Sequence, residues 1–167
     1  MIKVMYSGSF DPITYGHQNV IEQASSLFDE VVIAVLQNSN KGRGLFSLEE
    51  RMDMIMELYQ GNDKIKVVTG TGAAVDVALE NGCSAMIRGL RGISDYDYEV
   101  QLAHVNRKLS DNKVNTVCLM ADSNYQFISS SVVREIFALD KDICEYVDPL
   151  VKNKMLEKKK VRWVNNE

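Results

Sequence analysis

The chain has 167 residues, of which 46% are hydrophobic and 25% are charged, and its formal net charge is −4 at pH 7. This length suits one domain with a core of its own, so we expect a single domain over residues 1–167. The acidic balance disfavours a nucleic-acid-binding protein, which usually carries a basic excess, and we expect no nucleic-acid partner.

The cysteines and the hydropathy of the chain bear on its compartment. Cys83, Cys118 and Cys144 are widely spaced and form no C-x-x-C motif, which predicts a reducing compartment rather than a disulfide framework. No secretory signal is seen before the first predicted strand, and no apolar run approaches membrane-spanning length. We therefore expect a cytoplasmic protein with no membrane partner.

The first part of the chain predicts two strands separated by a helix. Residues 2–6 are rich in β-branched and aromatic side chains, which indicates a strand, and a helix is predicted to begin near Gly16. Apolar residues recur at helical spacing after that point: Val20, Ile21, Ala24, Leu27 and Phe28. A second strand is predicted at residues 29–36, since the run that follows Asp29 and Glu30 is continuously apolar, as is typical of a sheet covered on both faces.

The middle of the chain continues this alternation. Residues 37–45 form a polar loop, after which Ser47 and Glu50 predict a capping box at the start of a second helix. The buried stripe of that helix is predicted to comprise Met52, Ile55, Met56 and Tyr59. A third strand is expected at residues 65–68, and the next helix at residues 73–80, with a glycine-containing C-terminal cap.

Two further strands and the remaining helices are predicted in the last half. The fourth strand is expected at residues 85–87, so that residues 88–92 leave it as a loop before a long helix. The apolar residues of that helix share one face: Tyr98, Leu102, Val105 and Leu109. A fifth strand at residues 115–120 precedes a helix capped by the serines at 129–131, and two short helices close the chain. The pattern predicts an α/β fold with a doubly wound, parallel, five-stranded, Rossmann-like sheet and C-terminal helices.

Five segments rich in glycine, hydroxyl groups or cations follow the predicted carboxyl ends of strands. They are residues 8–17, Lys41, and residues 70–74, 88–91 and 124–130. Because ligands bind at that edge of an open parallel sheet, we expect these segments to meet in one crevice.

The loop after the first strand has the chemistry of an anion site. Gly8 lets a ligand approach the backbone, Ser9 and Thr14 add hydroxyl groups, and the following helix start offers unpaired N–H groups. His17 lies in the first turn of that helix, where its imidazole can donate to the same anion. The alternative is a plain turn in which His17 contacts no ligand.

The segment G-S-F-D-P-I-T-Y-G-H resembles the signature of nucleotidyltransferases related to class I aminoacyl-tRNA synthetases. Thr14, which stands in place of a first histidine, is similar to the bacterial phosphopantetheine adenylyltransferases. Ala73 and Ala74 depart from that family, in which larger apolar residues line the pantetheine arm.

Arg88 and Arg91 form a second candidate for phosphate binding, because guanidinium groups pair bidentately with phosphate oxygens. The alternative is a structural ion pair with a nearby carboxylate: Asp95, Asp97 or Glu99. The segment I-R-G-L-R at residues 87–91 resembles a motif of the same adenylyltransferases.

Three serines at residues 129–131 precede an amphipathic helix, which suits a di- or triphosphate better than a simple cap. Their segment resembles the family motif I-S-S-S-x-[VL]-[KR]-E and differs from the cytidylyltransferase branch. The segment D-Y-D-Y-E at residues 95–99 resembles a family segment whose glutamate contacts the nucleotide.

Other patterns favour simpler interpretations. The G-T-G at residues 70–72 lacks a third glycine and is not in the first βα turn, which disfavours a dehydrogenase. The chain has no P-loop motif, and its two histidines and scattered cysteines offer no closed zinc site. His104 is interpreted as a surface or packing residue, and the basic run at residues 152–162 as a solvated helix end rather than a nucleic-acid arm.

The resemblance, which covers residues 5–135, implies transfer of the adenylyl group of ATP to 4′-phosphopantetheine, giving dephospho-coenzyme A and pyrophosphate in coenzyme A biosynthesis. It also implies in-line attack without a covalent intermediate, Mg²⁺ accompanying ATP, inhibition by coenzyme A, and a homohexamer. Two alternatives stay open: a sister nucleotidyltransferase acting on another phosphorylated acceptor, and a non-catalytic nucleotide-sensing module.

The resemblance also implies roles for individual residues. The catalytic ones are His17, Lys41, Arg88 and Arg91. Those that bind the acceptor are Ser9, Lys41, Ala74 and Arg88, and none binds a metal. Those that bind the nucleotide are Ser9, Phe10, His17, Gly89, Leu90, Arg91, Glu99, Asn124, Tyr125, Gln126, Phe127, Ile128, Ser129 and Ser130.

Overall fold

The computed structural model describes residues 1–37, 44–90 and 92–164. Within these residues the strands are β1 (Lys3–Gly8), β2 (Glu30–Leu36), β3 (Ile65–Gly70), β4 (Ala85–Leu90) and β5 (Asn115–Met120). The helices are α1 (Tyr15–Leu27), α2 (Leu48–Leu58), α3 (Ala74–Glu80), α4 (Ile93–Leu109), α5 (Ser130–Ala138) and α6 (Pro149–Val164). A short 3₁₀ turn, Ser123–Tyr125, follows β5.

All five strands form one parallel sheet in the order β3-β2-β1-β4-β5. The chain winds outward from β1 through β2 to β3, and then returns to the other side of β1 for β4 and β5. The winding direction therefore reverses between β1 and β4, the point at which open α/β sheets bind ligands. This confirms the predicted doubly wound, parallel, five-stranded sheet.

Successive residues of the central strands pack into two core layers on opposite faces of the sheet. Tyr6, Ile33 and Ile87 face the larger layer, to which α1, α2, α5 and α6 contribute buried residues. Met5 and Val32 face the smaller layer with α3. Because both faces are covered, the strands are the near-continuous apolar runs that the sequence shows.

Two predicted details of the core are wrong. β4 continues to Leu90 because Arg88 and Gly89 keep their parallel pairing with β5, so these residues belong to a strand rather than to a loop. On α2 the buried apolar residues are Met54 and Ile55, whereas Met56, which was predicted to be buried, is 51% exposed.

The helices that close the chain also differ from the prediction. In place of two short helices, α6 is a single helix of 16 residues that starts at Pro149, a residue well suited to the first helical position. On α4, the predicted apolar face carries Tyr98, Val105 and Leu109 on the exposed surface of this single chain. Within the described ranges, every helix is too short or too polar to traverse a lipid bilayer.

Candidate active site

The loop between β1 and α1 lies at the point where the winding of the sheet reverses. Phe10 has a buried side chain, 1% exposed, and a positive φ of 46°. Gly8 faces that ring, since a Cβ there would lie only 3.1 Å from it. The peptide bond between Asp11 and Pro12 is cis. Because the ring of Phe10 belongs to the core, this residue can contact a ligand only through its main chain.

Three carbonyl groups of this loop accept hydrogen bonds from side chains of α2 and α5. Arg51 Nη1 donates to the carbonyl oxygen of Ser9 at 2.6 Å, and Ser130 Oγ donates to that of Pro12 at 2.8 Å. Arg134 Nη1 donates to the carbonyl oxygen of Asp11. The course of the loop is therefore set by tertiary contacts as well as by its own residues.

The carboxylate of Asp11 is buried and joins this loop to the residues that precede α2. Its Oδ2 accepts from the N–H of Leu45 and its Oδ1 from the N–H of Phe46, each at 2.9 Å. Residue 44 must be glycine here, because a Cβ on Gly44 would overlap the carboxylate. Arg134 Nη1 lies 3.8 Å from Oδ2. Because both of its carboxylate oxygens accept backbone amides, Asp11 links the loop after β1 to the segment that precedes α2.

His17, the third residue of α1, is held by the N-cap residue Thr14. The N–H of Thr14 donates to His17 Nδ1 at 3.0 Å, and Thr14 Oγ1 also lies 3.0 Å from Nδ1. Because Nδ1 accepts, the neutral imidazole carries its proton on Nε2, which is then a donor. The ring also packs edge-on against Phe10, with 5.1 Å between centroids. The site thus contains an N–H donor on a fixed ring.

The start of α5 packs against the start of α1. Ser129 is the N-cap residue of α5, and its Oγ accepts a backbone N–H of the first turn. Gly16 permits the close approach, since a Cβ there would lie 3.1 Å from the carbonyl oxygen of Ile128. With the hydrogen bond between Ser130 and Pro12, this contact joins two of the segments that the sequence analysis singled out.

A cleft of about 1550 Å³ lies beside these two helix starts. Four residues expected to bind the substrates lie on its wall: Ser9, His17, Ser129 and Ser130. Four cationic residues also lie there: Arg51, Arg134, Lys158 and Lys159. Among the described residues of the wall, cations outnumber the carboxylates of Asp11 and Glu49, although the whole chain is acidic. Hydroxyl groups beside an excess of cations suit a polyanionic ligand.

Arg88 lies in β4, and Glu99 of α4 engages its guanidinium. Nε donates to Oε2 at 2.6 Å and Nη2 donates to Oε1 at 3.0 Å, so the pair is bidentate. Burial opposes the charged form of Arg88, but the hydrogen bonds to Glu99 outweigh it and raise the pKa of the guanidinium. Arg88 therefore forms the structural ion pair that the sequence offered as the alternative to phosphate binding, and its partner is Glu99.

The family model described as Cytidylyltransferase-like matches residues 5–136, a range that contains both helix starts and the Arg88 strand. The chain belongs to the cytidylyltransferase-like family. A similar solved structure is the lipopolysaccharide core biosynthesis protein from Thermoplasma volcanium GSS1. It is 25% identical, with a TM-score of 0.58, and the match covers 74% of this chain and 99% of that chain.

In this cytidylyltransferase-like protein, several residues expected at the site lie away from the wall of the cleft. Gly89 and Leu90 belong to β4, and a Cβ on Gly89 would lie 2.8 Å from Val20 of α1, so packing alone requires a glycine there. Ala74 is the first residue of α3 and is partly buried. Lys41 and Arg91 lie outside the described residues.

The segment after β5 reaches α5 through the 3₁₀ turn, which contains Asn124 and Tyr125 and is followed by Gln126. Phe127 is 84% exposed, whereas Ile128 is buried in the main core. The side chain of Ile128 therefore has a packing role, and any contact that this residue makes with a nucleotide must involve its backbone.

The two arginines on the cleft wall were not predicted from the sequence, and the surroundings of the lysine-rich helix were predicted incorrectly. Arg51 lies on the buried stripe of α2 with Met54 and Ile55, and a charged residue at a stripe position is a signal that could have been read. The interpretation of residues 152–162 as a solvated helix end is wrong for four lysines. Because α6 packs beside acidic groups, its ion pairs are Lys152–Asp142, Lys154–Glu57, Lys158–Glu50 and Lys159–Asp140.

The described residues contain no group of three or more histidine, cysteine, aspartate or glutamate side chains placed to hold a metal ion. Asp11 lies within the loop after β1, and each of its carboxylate oxygens accepts a hydrogen bond from a backbone amide. The side-chain donors on the described wall of the cleft include hydroxyl, imidazole, ammonium and guanidinium groups, which are suited to phosphate oxygens.

Proposed function

We propose that this protein transfers the adenylyl group of ATP to 4′-phosphopantetheine, giving dephospho-coenzyme A and pyrophosphate. The observation that carries the proposal is the contact between the loop after β1 and the start of α5, beside which Ser9, His17 and Ser129 line one cleft. Membership of the cytidylyltransferase-like family supports nucleotidyl transfer. Thr14 and the motifs I-R-G-L-R and I-S-S-S support ATP and phosphopantetheine as the substrates.

The acceptor supplies its own nucleophile in this mechanism. A phosphate monoester has a second pKa of about 6, so it is mostly dianionic at neutral pH. One of its oxygens attacks the α-phosphorus of ATP and forms a new P–O bond. The bond from the α-phosphorus to the bridging oxygen breaks, and its electron pair leaves with pyrophosphate. No proton has to be removed, which agrees with a site in which Asp11 is committed to backbone amides.

On the nucleotide side, His17 would donate from Nε2 to an α-phosphate oxygen as negative charge develops there in the transition state. The hydroxyl and N–H groups of Ser129 and Ser130 at the start of α5, together with Arg91, would hold the leaving pyrophosphate. Mg²⁺ would enter with ATP, held by phosphate oxygens and water rather than by a protein cage.

On the acceptor side, Lys41 and Arg88 would hold the phosphate of 4′-phosphopantetheine, with help from the Ser9 hydroxyl. The contact with Glu99 uses the Nε and Nη2 side of the Arg88 guanidinium, and the fork has a second bidentate side at Nη1 and Nη2. Glu99 would therefore orient Arg88 toward the acceptor.

A second candidate is a sister nucleotidyltransferase that acts on another phosphorylated acceptor. The similarity to the Thermoplasma volcanium protein, which is named for lipopolysaccharide core biosynthesis, favours it. The serine-rich start of α5 and Thr14 favour the first candidate.

A pyrophosphate-release assay separates these functions. ATP and CTP are each tested with 4′-phosphopantetheine, unphosphorylated pantetheine, glycerol 3-phosphate and a mononucleotide. We expect release only with ATP and 4′-phosphopantetheine, and a dephospho-coenzyme A product by mass spectrometry. Release with another acceptor would establish the second candidate. ATP binding without release from any pair would indicate a nucleotide-sensing module instead.

We extend the proposal to a homohexamer that coenzyme A inhibits. The apolar residues on the exposed face of α4 support self-association, because Tyr98, Val105 and Leu109 would be covered in an assembly. Light scattering should give a mass near six times 18.8 kDa. Val105→Glu should reduce that mass, and a monomeric wild-type protein would contradict the assembly.

A further inference from the structure

We propose that Arg51 is a positioning residue for the reaction and sets the direction of the peptide N–H between Ser9 and Phe10. The inference rests on the function proposed above and deepens it. It concerns a residue on α2, 42 positions away from the loop that it holds.

The guanidinium of Arg51 bridges two segments of the site. Nη1 donates to the carbonyl oxygen of Ser9 at 2.6 Å, and Nε donates to the carbonyl oxygen of Ser47 at 3.1 Å. The residue is only 8% exposed, so both hydrogen bonds are shielded from water. A charged donor that bonds a shielded carbonyl holds it more firmly than a neutral donor does.

Holding one carbonyl group also fixes the next N–H. In a planar trans peptide the C=O and N–H point in opposite directions. Because the carbonyl of Ser9 points at Arg51, the N–H of Phe10 points away from it. The ring of Phe10 is buried, so this N–H is the donor through which Phe10 would contact a nucleotide phosphate. Without Arg51, the peptide group would be able to rotate.

A second set of contacts holds Arg51 in place. Ser47 and Glu50 form a capping box, in which Glu50 Oε2 accepts from the N–H of Ser47 at 2.7 Å and Ser47 Oγ accepts from the N–H of Glu50 at 3.2 Å. Lys158 Nζ donates to both oxygens of Glu50 at 2.6 and 2.7 Å. Partial burial works against the ionised form of Glu50, but Lys158 and Ser47 outweigh it and lower its pKa. A continuous series of contacts therefore links α6, which lies beyond the family match at residues 5–136, to Ser9.

The first experiment compares Arg51→Ala with Ile55→Val, a change at a fully buried position of the same helix whose aliphatic side chain cannot donate a hydrogen bond to Ser9. We expect Arg51→Ala to lower kcat by about 10- to 100-fold, the scale of a misplaced catalytic group, with both KM values within threefold of the wild type. Ile55→Val should lose stability but keep its kcat.

Guanidinium rescue tests whether the missing group itself is responsible. Arg51 lies on the wall of the cleft, so Arg51→Ala opens a space that a free guanidinium ion can enter. Guanidinium chloride at tens of millimolar should restore kcat several-fold in Arg51→Ala and leave Ile55→Val unchanged. An unchanged kcat in Arg51→Ala, an acceptor KM that rises alone, or no rescue would each overturn the proposal. A rise of the acceptor KM alone would mean that Arg51 binds the substrate directly.

The second experiment keeps the inference testable if Arg51→Ala does not fold. Lys158→Gln and Lys154→Gln each remove one ion pair between α6 and α2, but only Lys158 reaches the capping box beside Arg51. A partly exposed ion pair is worth up to about 1 kcal/mol, so Lys158→Gln should lower kcat by about two- to fivefold. Lys158→Arg, which keeps the positive charge, should lower kcat less than Lys158→Gln does, and Lys154→Gln should leave kcat unchanged. Equal effects of Lys158→Gln and Lys154→Gln would overturn the proposed link.

Amide hydrogen exchange makes the outcome independent of the proposed reaction. In the free protein, Lys158→Gln should accelerate exchange in residues 8–14, and Lys154→Gln should not. If the wild-type protein releases no pyrophosphate with any acceptor, the proposed function is wrong. Unchanged exchange at residues 8–14 in Lys158→Gln would instead overturn the inference about Arg51 and leave the proposed function untouched.

Discussion

Two substitutions of His17 separate the contact between its Nδ1 and Thr14 from the donor role that we propose for its Nε2. In His17→Asn, the side-chain oxygen can take the position of Nδ1 and accept the N–H of Thr14, which lies 3.0 Å from Nδ1 in the structure. Nothing then replaces Nε2. In His17→Gln, the longer amide can place a donor near Nε2, but the acceptor for Thr14 is lost.

The two losses differ in size. Removing one transition-state donor costs about 10²–10³ in kcat, or about 2.7–4 kcal/mol. Removing a helix-capping hydrogen bond costs about 1 kcal/mol of stability, which lowers Tm by about 2–4 °C for a domain of this size. His17→Asn should therefore lose about 10²–10³ in kcat with a Tm close to that of the wild type. His17→Gln should lower Tm by about 2–4 °C and keep kcat within about tenfold.

The assay is steady-state pyrophosphate release at saturating ATP and 4′-phosphopantetheine, with KM determined for each substrate and Tm from calorimetry. A kcat for His17→Asn within threefold of the wild type would refute the donor role of Nε2. An effect confined to KM would assign His17 to ground-state binding instead. Equal losses of kcat in both variants would show that the orientation of the ring by Thr14, rather than its N–H, limits the reaction.

The remaining predictions concern Asp11, Glu99 and Cys83. In Asp11→Asn the side chain can accept a hydrogen bond from only one of the two amides that now donate to the carboxylate, so the free energy of unfolding, measured by urea denaturation, should fall by about 1–3 kcal/mol. A lower kcat at unchanged stability would indicate a chemical role for Asp11 instead. Glu99→Gln weakens the bidentate contact with Arg88, so the KM for 4′-phosphopantetheine should rise about tenfold while the KM for ATP stays within threefold of the wild type. A rise in the KM for ATP alone would assign Glu99 to nucleotide binding. Burial raises the pKa of the Cys83 thiol to about 11, so iodoacetamide at pH 8 should label the two exposed cysteines and spare Cys83. Labelling of Cys83 should begin only as the pH approaches that pKa, and rapid labelling at pH 8 would show that the residue is accessible.

Several elements could be predicted because their signals are local. The capping box of α2 requires only that Ser47 and Glu50 stand three residues apart, and both halves of it are present. Ser129 caps α5 for the same reason. The continuous apolar runs of the central strands reveal a sheet covered on both faces. The ordering of strands and helices along the chain then indicates the doubly wound fold.

Other features depend on partners that are distant in the sequence. Arg88 extends β4, rather than beginning a loop, because it pairs with β5. Its guanidinium contacts Glu99 because of the position at which α4 packs. The apolar face of α4 has helical periodicity, but periodicity does not show whether a face meets the core or remains exposed.

The sequence by itself determined the parallel α/β architecture and the motifs that border the cleft, because periodicity, caps and glycine turns act over a few neighbouring residues. Only the tertiary structure decided which groups hold those motifs in place. Arg51 reaches Ser9, Asp11 reaches Leu45, and Lys158 reaches Glu50 across 34 to 108 positions. Such hydrogen bonds form only after the sheet and helices have brought their partners within about 3 Å, a distance that no local pattern encodes.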